Sequence, residues 1–166
     1  MKKIISVALI LLCVLSLSSC GKILHGSDEL IEQAREVFPL TDAENCFIQY
    51  AGLCGKDDEV LVWFVSGDEN EVHHYLPMEC LVVGDNQYKY TGILTPSVRG
   101  QDIAVAQWND GYSFIIYNPD CAAVRITDTT GTQEISIEKY VYPYVFYHPT
   151  IPSDYAFLDA DGNEIF

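Results

Sequence analysis

Residues 56–70 read KDDEVLVWFVSGDEN: an apolar run, Val60-Leu61-Val62-Trp63-Phe64-Val65, set between two acidic turn clusters. The run is rich in β-branched and aromatic residues and does not alternate with polar ones. A strand with one wet face alternates, so this segment predicts a strand covered on both faces. Tyr112 to Tyr117 has the same character, whereas Ile135-Ser136-Ile137-Glu138 alternates as a strand with one solvated face does. A central sheet packed on a helix or on a second sheet follows.

Working outward from this run, everything after about residue 45 repeats the pattern. Short runs rich in Val, Ile, Tyr and Phe are separated by turn clusters: Lys56-Asp57-Asp58-Glu59, Gly67-Asp68-Glu69-Asn70, Gly84-Asp85-Asn86, Arg99-Gly100-Gln101, Asn109-Asp110-Gly111, Asn118-Pro119-Asp120, Asp128 to Gly131 and Asp161-Gly162-Asn163. Spacings of mostly 10 to 17 residues suit antiparallel strands. The expectation is a mainly β fold, an antiparallel meander, sandwich or partly open barrel. No helix-length periodic segment separates the strands, which argues against a parallel α/β sheet. One helix is expected, over about 28–38. Ser27-Asp28-Glu29 supplies a capping hydroxyl and two acids near the positive end of the dipole. Ile31, Ala34 and Phe38, flanked by Leu30 and Val37, form an apolar stripe that Pro39 ends.

The N-terminus has different physics. Lys2 and Lys3 precede Ile4 to Leu17, 14 residues interrupted by Ser6 and Ser16. As a helix this segment spans roughly 21 Å, short of the roughly 30 Å of a bilayer core and suited to the core of a signal peptide. Leu17-Ser18-Ser19-Cys20 then resembles the lipobox of bacterial lipoproteins, an aliphatic residue and two small ones before the modified cysteine. The resemblance covers about the first twenty residues. It implies a diacylglyceryl group on the Cys20 thiol, cleavage between Ser19 and Cys20, and a location at the extracytoplasmic face of the cell membrane, where two acyl chains give a stable anchor. The expected organisation is a signal peptide over 1–19, a short tether over 20–26 and a mainly β domain over 27–166.

Removing Lys2 and Lys3 with the signal leaves 7 Lys and Arg against 24 Asp and Glu, a net of −17. Such a charge opposes binding to nucleic acid or anionic lipid and favours neutral or cationic partners. No cofactor is implied.

Four cysteines remain, and an oxidising compartment permits disulfides. A strand over 46–54 places its end sulfurs about 27 Å apart, which excludes Cys46–Cys54. A meander with turns near 57 and 68 returns Cys80 towards Cys54, favouring Cys54–Cys80 with Cys46–Cys121. The other reading is four unpaired thiols acting as small core residues. His73 and His74 share a strand and so point to opposite faces. With Cys80 and His148 one of them makes a conceivable ligand set, but no CxxC or HxxxH spacing supports a metal, and none is expected. The segment Asp159 to Glu164 has alternating acids and a Gly but lacks the remaining ligands of a calcium loop, and its Asp-Gly reads better as a hairpin turn.

The most suggestive stretch is KYVYPYVFYHPTIPSD, residues 139–154. In a strand, Tyr140, Tyr142, Tyr144 and Phe146 share one face. Pro143 confines that strand to an edge or a bulge. Exposed, the row offers a binding surface for a glycan or a protein partner; covered, it is the core face of an edge strand. No nucleophile elbow, phosphate loop, dinucleotide fingerprint or HExxH helix is present. The sequence therefore favours a binding or interaction module of the cell envelope over an enzyme. The alternative is an envelope hydrolase whose site is assembled from loops.

Overall fold

A computed structural model describes residues 21–40, 46–68, 72–100, 102–138 and 141–165, and of His73 the backbone alone. In chain order the elements are β1 (Ile23–His25), α1 (Gly26–Val37), β2 (Phe47–Lys56), β3 (Glu59–Gly67), β4 (Val72–Gly84), β5 (Gln87–Ile93), β6 (Ser97–Val98), β7 (Ile103–Trp108), β8 (Gly111–Ile116), β9 (Ala123–Asp128), β10 (Gly131–Ser136), β11 (Tyr144–His148) and β12 (Asp154–Leu158). They form three antiparallel sheets, ordered β1-β5-β4-β3-β2, β11-β8-β7-β6 and β10-β9-β12. The fold is mainly β with one helix, and β2 to β5 are a meander. Tight turns at Asp57-Asp58, Asp85-Asn86 and Asn109-Asp110 place Asp57, Asn86 and Asn109 at φ of 56°, 53° and 49°, a region that Asp and Asn tolerate better than other side chains.

The two-residue alternation of a strand explains how the sheets stack. Val60, Val62 and Phe64 of β3 pack with Leu76, Met78 and Cys80 of β4 against Leu30, Ala34 and Phe38. Leu61, Trp63 and Val65 point the other way and meet Ala104, Ala106, Trp108 and Ile115 of the second sheet. In that sheet Ile103, Val105, Phe114 and Ile116 turn outward again and meet Val124, Ile126 and Phe157 of the third. The layers thus run helix, first sheet, second sheet, third sheet, and the central strands β3, β7 and β8 of the two middle sheets are buried on both faces. Hence the apolar runs at 60–65 and 112–117 do not alternate. At about 1.5–3 kcal/mol per buried side chain, the six residues 60–65 contribute on the order of 10 kcal/mol before chain entropy is subtracted.

The helix begins earlier than its acidic signature suggests. It starts at Gly26 rather than after Ser27, and His25 at the cap position makes no side-chain capping bond. Its backbone N–H instead donates to Glu29 Oε2 at 2.9 Å. The tether expected over 20–26 is corrected as well. Ile23–His25 is a strand paired with β5, in register Ile23 with Lys89 and His25 with Gln87, and Leu24 is fully buried under α1.

The cysteine pairings are not formed. Cys54 lies opposite Leu61 and Cys80 opposite Val60, so the meander does return Cys80 to within two strands of Cys54. The two thiols nevertheless point to opposite faces of the sheet, Cys54 into the second core and Cys80 into the first. Cys121 belongs to the third core, and half-buried Cys46 lies just ahead of β2, its carbonyl accepting from Arg35. All four are free thiols. Burial pushes Cys54 and Cys121 up to about 11 and Cys80 up to about 12, which keeps them protonated and unreactive at neutral pH.

Inside the second core, Trp63 Nε1–H donates to Ser113 Oγ at 2.7 Å, and Cys54 Sγ lies 3.0 Å from the same oxygen. Ser113→Ala orphans a buried indole N–H. It should lower stability by about 1–3 kcal/mol, read as a lower denaturant midpoint with unchanged slope. The first and second sheets also meet at β2 and β11. There β2 carries a register shift between Tyr50 and Gly52, and Gly52, at φ 147°, leaves room for Val145: a Cβ would lie 3.2 Å from Val145 Cγ2.

Candidate functional site

Strand β11 separates two polar features near its C-terminal end. On one side is an open groove of about 670 Å³ formed where the β2–β3 and β7–β8 turns come together, walled by Tyr147 and Pro149. The turns supply Asp57, Asp58, Glu59 and Asp110, with Lys56 the basic residue among the lining groups. Asn109 Nδ2 donates to Glu59 Oε2 at 2.8 Å and ties the turns together. Tyr147 packs edge-on against Trp108, ring centres 5.2 Å apart. Burial, then the nearby Asp110, Cys54 and Glu59, push its phenol above the ordinary value, so Tyr147 enters the groove as a neutral donor. Chemically the groove offers carboxylates and one aromatic ring to a cationic or polar neutral group. In sequence these acids read only as turn residues, because nothing in their spacing announces that two distant hairpin tips converge.

Behind β11 lies a buried polar cluster that the sequence reading missed. The His148 and Asp128 side chains are each 4% exposed, with Nε2 3.1 Å from Asp128 Oδ2. Thr150 Oγ1 stands 2.8 Å from the same Nε2 and donates to Asp128 Oδ2. Gln133 Nε2 is 3.2 Å from His148 Nδ1. Asp128 Oδ1 accepts from Thr130, 2.7 Å from its backbone N–H and 2.6 Å from its hydroxyl. One tautomer satisfies every contact: Nε2–H directed at Asp128 and Thr150, and Nδ1 accepting from Gln133.

A hydroxyl, an imidazole and a carboxylate invite comparison with a nucleophilic triad, and the geometry rules that role out. A triad needs the carboxylate on one ring nitrogen and the nucleophile on the other. Here both crowd Nε2, which already carries the proton, and the Thr150 hydroxyl gives its hydrogen to Asp128. The cluster is a clasp joining the end of β11 to the β9–β10 hairpin. Its hydrogen bonds, those of Thr130 foremost and then Thr150, hold the Asp128 carboxyl well below its ordinary 3.8. A depressed carboxyl stabilises the fold above the unfolded-state value and loses that contribution as pH falls through the folded one. Asp128→Asn should therefore be less stable than wild type above about pH 4, with the gap closing on further acidification. Melting curves from pH 7 to pH 2 test this; a gap that stays constant across the range would show that the carboxylate charge is not the cause.

Of the aromatic row, Tyr142, Tyr144 and Phe146 are half-buried and pack against the third core. Tyr144 and Phe146 lie on β11, an edge strand as expected, but the third sheet covers their side. Phe146 stacks on Phe114 at 4.7 Å and 6°. Tyr142 precedes the strand and its hydroxyl donates to the carbonyls of Cys121 at 2.9 Å and Pro119 at 3.2 Å. Tyr140 lies outside the described residues. His74 is exposed on β4 opposite Ser66, while Cys80 faces the helix and His148 the third sheet, so the conceivable ligand set is not assembled. Asp159 holds its own turn: Oδ1 accepts from the backbone N–H of Asp161 and of Asn163, each at 2.9 Å, and Leu158 pairs with Glu164 across it. Among the described residues no group of three potential ligands is placed to hold a metal ion, and no helix is long and apolar enough to cross a membrane. No protein-family model, no curated protein and no solved structure matches the chain.

Proposed function

We propose that the protein is a lipoprotein of the cell envelope, anchored through Cys20 at the extracytoplasmic face of the membrane and acting there as a binding module for a neutral or cationic partner, protein or glycan. The observation that carries the reading is the lipobox Leu17-Ser18-Ser19-Cys20 after a short apolar core. The mature charge of −17 supports the partner's character. Supporting a binding role over hydrolysis, the imidazole–carboxylate–hydroxyl cluster is consumed by internal bonds, and the carboxylates of the groove stand open to solvent.

The test is metabolic labelling of the full chain with an alkyne-bearing palmitate in a bacterial host. Label on the peptide that begins at Cys20, partition into the detergent phase, and loss of both in Cys20→Ser are the expected results. A mature chain that starts elsewhere and carries no lipid overturns the anchor.

A further inference from the structure

The first described residues show which surface an anchored domain would turn to the bilayer. Only Gly21 and Lys22 separate Cys20 from β1, the outer strand of the five-stranded sheet. Three residues span about 10 Å at most, comparable with the Debye length of about 8 Å at physiological salt. Charges at this edge are therefore the ones held nearest the headgroups, while the net charge of −17 on the whole domain opposes an anionic surface.

Those charges are positive in a strongly acidic protein. Lys22 is exposed. Lys89 lies opposite Ile23 on β5, and its side chain runs along the chain as it leaves for Cys20: a Cβ placed on Gly21 would lie 3.0 Å from Lys89 Cε. Ile23 shares the face of Lys89, away from the helix core that Leu24 fills, and is 43% exposed. The acids nearest this strand lie at its other end. Glu29 accepts from the His25 N–H, Asp28 sits beside it in the first turn of α1, and the Asp85-Asn86 turn meets Gly26 through Asn86 O. The cations and the exposed isoleucine are at the end where the lipid would be attached.

We infer that the β1–β5 edge, through Lys22, Lys89 and Ile23, is a docking surface for anionic membrane lipid, holding the domain on the bilayer in one orientation. The inference rests on the lipid-anchor reading and adds to it the face presented. Basic side chains near an anionic leaflet gain from its surface potential, and an exposed isoleucine beside them gains from the interface.

The experiment places a photo-crosslinking benzoyl-phenylalanine at Ile23 or at Ile151 in the full chain, matured in cells, purified and returned to vesicles containing phosphatidylglycerol. Both positions are exposed, so neither probe displaces core. Mass spectrometry reads the Cys20 modification and the photo-adduct on the same sample. The expected result is a lipid adduct many-fold stronger from position 23 than from 151, reduced by Lys22→Glu with Lys89→Glu and in vesicles of phosphatidylcholine alone. A chain carrying lipid on Cys20 whose position 23 gives no lipid adduct, or an adduct to a second copy of the chain, overturns the docking surface and leaves the anchor standing. A chain without lipid on Cys20 overturns both.

Discussion

Phe114→Ala should be the most damaging single truncation in the third core, lowering stability by about 3–5 kcal/mol. The ring is fully buried. It stacks on Phe146 at 4.7 Å, meets Tyr155 edge-on at 5.5 Å and Phe157 at 6.3 Å. These partners come from β11 and from β12, so one ring bridges the second and third sheets. Their backbones are fixed by pairing with β8 and β9, and strands held that way collapse little into a void. Most of the cavity term should therefore remain. Chemical denaturation gives the loss directly. A drop below about 1 kcal/mol, the scale of a well-tolerated hydrophobic swap, would mean that the third sheet slides inward and that its seat on the second is soft.

Gly111→Ala should be comparably severe for a different reason. A Cβ at this position would lie 2.0 Å from the His148 carbonyl oxygen and 2.9 Å from the Tyr147 hydroxyl. The first obstacle is backbone at the end of β11, where His148 pairs with Tyr112, so no side-chain rotation relieves it. Either the β7–β8 turn opens or β11 lifts from β8. About 3 kcal/mol or more is expected, at the upper end of overpacking costs. The consequence is also local: lifting the end of β11 pulls His148 away from Asp128 and Thr150. Amide exchange should accelerate over 144–150 before the first sheet is affected. Uniform acceleration across all three sheets would instead place the strain in the folding unit as a whole.

The non-alternating run at 60–65 correctly disclosed a strand covered twice, because burial on both faces leaves its mark on every residue of the strand. The meander of β2 to β5 followed from turn chemistry, Asp57-Asp58 and Asp85-Asn86 being short enough to join only neighbours. What stayed hidden depends on register and on sheet order. Whether Cys54 and Cys80 share a face is a question of parity across two strands, and parity is decided by where pairing slips, as it does between Ser66 and Gly67 in the β3–β4 pairing that leads to Cys80. The aromatic row showed its period but not its cover, because the third sheet against which Tyr144 and Phe146 are half-buried lies on both sides of it in the chain. Strand β1 is three residues long, too short for any period to register. The groove acids and the Asp128–His148–Thr150 clasp come from the tips and ends of several strands, so they have no common spacing to find.

Strand β1 also decides how the fold meets a mechanical load. A pull on the chain ahead of Ile23 enters the structure through three residue pairs, Ile23 with Lys89, Leu24 with Tyr88 and His25 with Gln87, before it reaches the helix. Tension along the strand loads these pairs together and must also drag Leu24 out of its seat under α1. Tension directed away from the sheet opens them one after another, starting at Ile23. The same edge is thus stiff under drag parallel to its strand and yields stepwise when lifted.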